Sequence, residues 1–240
     1  MDCLESALSA GSRDAACYLY ELYPKGGRPN LMAKAMESLR EGAEDGDTLC
    51  MRYMADALSK GNYLAKDLDS AEAMARKALE SGDGEAYGLL MFLLWKKGTD
   101  ESCGEVVRIS EMEASEGNPL AYYWLGRALY NGKGTEKDHN RAEIYLRKAL
   151  KAKVRGSRLL LVKLLWARGT QESCAEMCRL AQPLVDIGDP AAMGYLGRAY
   201  LYGKGTEKDL SKACELLETA AKSDKAWERE LRIAMKGLKG

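Results

Sequence analysis

Seven residues, Gly132 to Asp138, spell GKGTEKD, and the same seven letters return at Gly203 to Asp209. The offset is 203 − 132 = 71. A copy of that length does not arise by chance, so the chain contains an internal repeat. A fixed period is the mark of stacked supersecondary units, each too small to bury its apolar face alone. That constraint governs how every other residue is interpreted.

The match extends well beyond the motif. At the same offset Trp95 falls on Trp166, Glu101-Ser102-Cys103 on Glu172-Ser173-Cys174, and Pro119 on Pro190. Leu125-Gly126-Arg127-Ala128 falls on Leu196-Gly197-Arg198-Ala199. One step further back Asp138 lands on Asp67, Ala142 on Ala71, Ala149 on Ala78 and Gly98 on Gly27. Three units of equal length follow, at 14–84, 85–155 and 156–226. A half-repeat at 2–10 precedes them, and a polar segment at 225–238 suits a terminal cap. The expectation is one array over 1–240, of about six repeats.

Each unit is double. Ala121, Leu125 and Leu129 recur every four residues, a helical stripe, and a second helix carries Ala142, Leu146 and Ala149 on one face. The other half of the unit predicts helices at 85–97 and 105–116. Between halves stand Gly46-Asp47, Gly117-Asn118-Pro119 and Gly188-Asp189-Pro190, where Gly ends one helix and Asp or Asn caps the next. Ala, Leu, Glu, Lys, Met and Arg predominate, with 5 Pro and a single Phe, a composition of helix formers. The fold class expected is all-α: helix–turn–helix repeats stacked into an α/α solenoid.

Composition also excludes functions. Lys plus Arg and Asp plus Glu both number 36, a balance that argues against nucleic acid as partner. No run of about 18 apolar residues offers a membrane span. The first residues lack a secretory signal, and seven irregularly spaced Cys suggest reduced thiols and a cytoplasmic protein. Gly132-Lys133-Gly134-Thr135 lacks the Walker spacing and is a turn, with Asp138 starting the next helix. His139, the one histidine, is expected to be a solvated surface residue. Cys174 and Cys178 share a helix face but make a poor zinc site without further ligands. No catalytic constellation, metal site or cofactor site emerges.

The pattern Ala192-x-x-x-Leu196-Gly197-x-x-Tyr200-x-x-Gly203-x-Gly205-Thr206-x-x-Asp209-x-x-Lys212-Ala213 resembles the Sel1-like repeat family, a relative of tetratricopeptide repeats. The copy from Ala121 is close, with Leu129 for the aromatic. The copy from Cys50 has Ala55 and Tyr63 where Gly is expected. The resemblance implies a right-handed α/α superhelix that binds other proteins as a scaffold or adaptor. Gly126 and Gly197 are expected where two helices of a hairpin cross closely, facing Ala142 and Ala213.

In tetratricopeptide-like stacks the first helices line the concave face. Carrying that register over places Arg52, Phe92 and Trp95, then Tyr123, Arg127 and Tyr130, then Lys163, Trp166, Arg198 and Tyr202 on a protein-binding groove. These residue types are enriched at interface hot spots. Trp95 and Trp166 could equally be core packing at the turn, and each Arg could simply pair with a neighbouring carboxylate. The main reading is a non-enzymatic scaffold for a protein or peptide, monomeric or weakly self-associating. The alternative is a regulatory or ligand-binding module of a larger enzyme assembly, or a hydrolase using the groove as a pocket.

Overall fold

The computed structural model describes residues 2–23 and 28–238. Gly27, one of the repeat equivalences, lies outside them. Fourteen α-helices and one 3-10 turn are present among the described residues, with no strand, and the fold is an all-α solenoid of paired helices. Contacts divide the chain into two compact units, Met1–Val106 and Val107–Gly240, the division falling within α7 (Asp100–Ser115).

Unit 1 holds α1 (Asp2–Ser9), α2 (Arg13–Leu22), α3 (Pro29–Glu44), α4 (Thr48–Lys60), α5 (Leu68–Glu80) and α6 (Ala86–Lys97). Unit 2 holds α8 (Pro119–Asn131), α9 (His139–Lys151), α10 (Ser157–Arg168), α11 (Gln171–Asp186), α12 (Pro190–Tyr202), α13 (Leu210–Ser223), the 3-10 turn Lys225–Trp227 and α14 (Glu228–Leu238). Sequential helices pack as hairpins. In unit 2 the even-numbered helices also touch one another in turn, α8 to α10 to α12 to α14. They form the closer-packed layer.

Local chemistry sets the helix ends. Asp138 accepts from the N–H groups of Asn140 and Arg141. At the equivalent starts Asp67 accepts from those of Asp69 and Ser70, and Asp209 from that of Lys212. Such a cap is worth about 1 kcal/mol. Asp47, Asn118 and Asp189 cap α4, α8 and α12 behind left-handed Gly46, Gly117 and Gly188. Tyr63 keeps the left-handed conformation that Gly134 and Gly205 adopt (φ 61°) although it carries a side chain. The helix expected at 105–116 starts at Asp100 instead. The signal for that start is Thr99, whose Oγ1 accepts from Ser102 N–H, as Thr170 accepts from Ser173 N–H.

The two helices of a hairpin approach closely at Gly126 and at Gly197. A Cβ on Gly126 would sit 2.7 Å from Leu146 Cγ, and one on Gly197 would sit 2.8 Å from Leu217 Cγ. This corrects the expectation that Ala142 and Ala213 face them. Ala142 offers only its carbonyl, at 3.3 Å, because the side chain that reaches over the glycine comes from one turn further on. In unit 1 the corresponding positions are Ala55 and Ala75, both fully buried. One helix gains a methyl group and the other loses three carbons, so the unit 1 crossing carries the smaller pair.

The second helices carry a repeated ion network. Arg76 bridges Glu72 and Glu105, and Arg147, one period on, bridges Glu143 and Glu176. Lys97 and Arg168 join the same carboxylate clusters. At the end, α14 aligns with α10, but Leu161 and Leu165 of α10 are replaced by the exposed Arg232 and Lys236. The same helix also exposes Ile233, Met235 and Leu238.

Gly126→Ala should destabilise the protein by roughly 1–3 kcal/mol through overpacking. Gly126→Ala combined with Leu146→Ala, which recreates the Ala55–Ala75 pair, should cost less than the sum of the single variants. A double-mutant cycle from urea denaturation measures this coupling.

Candidate functional site

In unit 2 the even-numbered helices present an aromatic row. The Trp166 ring (α10) meets Tyr195 (α12) edge-on at 6.4 Å, and Tyr195 meets Trp227 edge-on at 5.2 Å. Beside this row lies a cavity of about 580 Å³ lined by Lys163, Tyr195, Arg198 and Trp227, with Asp189 and Asp224 among its other walls. The two aspartates are there as caps of α12 and of the 3-10 turn.

Arg198 is held from two sides. Its guanidinium lies 4.6 Å from the Trp227 ring centroid, and its Nε donates to Glu230 Oε1 at 2.9 Å. Nη2 donates to the same oxygen. Glu230 is only 7% exposed, and its Oε2 is buried without a hydrogen-bond partner. A carboxylate so desolvated needs its cation. Arg198 therefore fixes the wall of the cavity. Lys163 has no such carboxylate, and it is the lining cation best placed to meet a ligand. Burial pushes the Tyr195 hydroxyl above its ordinary pKa.

The remaining residues expected on the groove are distributed over both units. In unit 1 Arg52 pairs with Asp83 at 2.9 Å and Glu85 at 2.8 Å. Phe92 is exposed beneath the Lys96 ammonium, and Trp95 is half-buried. In unit 2 Arg127 lies over Trp124 at 5.1 Å. Tyr123 packs against Trp124 and over Gly156, and Tyr202 is exposed. Trp166 also takes Lys204 over its ring at 5.8 Å. Only Lys163 and Arg198 of the ten share the cavity, with Trp166 adjoining through Tyr195.

Tyr195 and Trp227 are functional candidates that the groove register misses. Tyr195 has a signal: Tyr53, Trp124 and Tyr195 recur at the repeat period. Trp227 has none of its own. Its equivalents are Glu85 and Gly156, and each meets the same partner position on the first helix of the preceding hairpin. Glu85 pairs with Arg52, Gly156 lies under Tyr123, and Trp227 lies over Gly194, where a Cβ would fall 2.3 Å from the indole. One contact is thus built three ways: an ion pair, a ring on a glycine, and a glycine under a ring.

His139 corrects an expectation. It is not a solvated side chain but stacks on Tyr130 at 5.4 Å, with its Nε2 buried and unpartnered. The first position of α9 turns the imidazole back onto the preceding helix. All the cysteines are free thiols, and Cys103 and Cys174 are buried at equivalent places. Burial raises Cys17 to about 12 and Cys50 to about 11, far from nucleophilic range. Among the described residues no cluster of His, Cys, Asp or Glu could hold a metal ion.

The family model for the Sel1 repeat matches residues 48–83, 119–153 and 190–225. The chain belongs to the Sel1-like repeat family. The three Sel1 repeats are the α4–α5, α8–α9 and α12–α13 hairpins. The chain is similar to c5321, a protective antigen of uropathogenic Escherichia coli with an SLR fold, at 25% identity and a TM-score of 0.52. That match covers 98% of this chain but 44% of c5321, so the chain spans less than half of that protein. A Sel1 repeat protein from Oxalobacter formigenes aligns with a TM-score of 0.66 at 20% identity, over 89% of this chain and 85% of its own, and shares the fold. No curated protein sequence matches. The cavity lies between Lys163 of α10, the first helix of the third Sel1 repeat and the turn that follows that repeat.

Arg198→Ala should destabilise the protein by roughly 2–3 kcal/mol, because Glu230 is left buried without its cation. Adding Glu230→Gln should recover part of the loss. Chemical denaturation of the two variants tests this.

Proposed function

We propose that this Sel1-repeat chain is a non-enzymatic scaffold that binds a segment of a partner protein along the even-numbered helices. Sel1 repeat proteins generally mediate protein–protein interaction. The observation that supports a particular place is the open cavity of unit 2, where the Trp166–Tyr195–Trp227 row stands beside Lys163. Rigid rings give large contact area at low entropic cost, and an ammonium gives a charge-assisted bond to a carboxylate. The partner segment would lay an apolar or aromatic residue on the row and an acidic group on Lys163. The exposed Phe92 and Tyr202, with Arg52, Trp95, Tyr123, Arg127 and Tyr130, would extend the same surface along each unit.

The reduced thiols suit a cytoplasmic protein, and no helix among the described residues is long and apolar enough to cross a membrane. The charge balance argues for protein rather than nucleic acid as partner.

Affinity capture with the wild-type chain and the Lys163→Glu variant tests the reading. A specific protein retained by the wild type should be lost with the variant while helical content stays unchanged. Equal retention by both overturns the assignment of the cavity. A steep fall in binding with added salt would point to nucleic acid instead.

A further inference from the structure

A second cleft lies in unit 1, on the side of the second helices. It has a volume of about 510 Å³ and runs between α3 and α5 over α4. Met51, Met54 and Met74 line it together with Leu58 and Leu64, and the exposed Arg40 and Lys77 stand at its rim. The same place occurs in unit 2, one period on, and there two rings stand in it. Met51 corresponds to Tyr122 and Met74 to Tyr145. Those two rings stack at 6.3 Å, and Lys148, the counterpart of Lys77, lies 5.1 Å and 5.8 Å from their centroids. In the third copy Tyr200, the counterpart of Leu58, again sits under a lysine, Lys212, at 5.4 Å.

We propose that the unit 1 cleft is a binding site for an aromatic side chain presented by a partner protein. The chain itself supplies the template. In the second copy two phenol rings lie beneath Lys148 here. In the third, Met193, Leu216 and Thr219 stand at the positions of Met51, Met74 and Lys77, and the ring and ammonium are Tyr200 and Lys212, at the positions of Leu58 and Ser70. Unit 1 keeps the ammonium and replaces the rings with methionines, whose thioethers adapt to a ring and attract its edge. Lys77 adds the cation over the face. The cleft is open between two helices, so a side chain can enter it from outside. It shares no lining residue with the cavity of unit 2.

The test uses N-acetyl-tyrosinamide as probe and N-acetyl-leucinamide as control, with methyl NMR of the 11 methionines of the full chain. Expected are saturable upfield ring-current shifts at Met51, Met54 and Met74 with the tyrosine probe, and a much weaker response to the leucine probe. Met74→Tyr, which imports the residue of unit 2, should abolish the response, with circular dichroism confirming the helical fold. Lys77→Ala, an exposed change that leaves the packing alone, should weaken it. No shift at the three methyls, an equal response to both probes, or undiminished binding by Met74→Tyr or Lys77→Ala would overturn the proposal.

Discussion

The architecture depends on how closely two helices of a hairpin can approach. At Gly126 and Gly197 the missing Cβ lets Leu146 and Leu217 lie directly on the opposing backbone. Glycine inside a helix costs about 0.5–1 kcal/mol relative to alanine, and the close packing of a buried leucine outweighs it. The Ala55–Ala75 pair shows that neither residue is required by itself. What the copies share is a crossing at which one of the two side chains is no larger than a methyl group. The caps at Asp67, Asp138 and Asp209 place each second helix at the same point of the cycle. The Glu–Arg–Glu networks can then recur at corresponding positions.

This division explains what is legible in the sequence. Turns and caps are local: an Asp after Gly-x-Gly has its hydrogen-bond partners two or three positions away, so its role follows from spacing alone. The helix starting at Asp100 reads late from sequence because its cap is a Thr–Ser pair, a weaker letter than Asp or Pro. Crossings are harder. Gly126 is legible as a close contact, yet its partner reads one turn off, because the length of the leucine side chain and not the Cα position decides what touches it. Trp227 is the least legible of all. Its contact with Gly194 joins one hairpin to the next, and at equivalent places the pair is Arg52 with Glu85 or Tyr123 with Gly156. No single column of the repeat carries that information; only the sum of two columns does.

The same reasoning separates residues that hold the stack from residues left for recognition. Arg52 and Arg198 occupy outward positions of their helices, yet both are engaged by carboxylates of their own unit. Their guanidinium groups are therefore held in place by the fold, while Phe92 and Tyr202 stand exposed.

Where the copies differ without a compensating partner, the fold gives no reason for the difference. Gly194 changes with Trp227, so that difference is absorbed by packing. The exchange of Tyr122 and Tyr145 for Met51 and Met74 is of another kind. Both partners change, but the volume is not restored, and a cleft of about 510 Å³ stands open in unit 1. A repeat protein stabilised by nearest-neighbour contacts tolerates such a local vacancy because its other interfaces are unaffected. A stack can thus keep every joint identical and still give each unit its own surface.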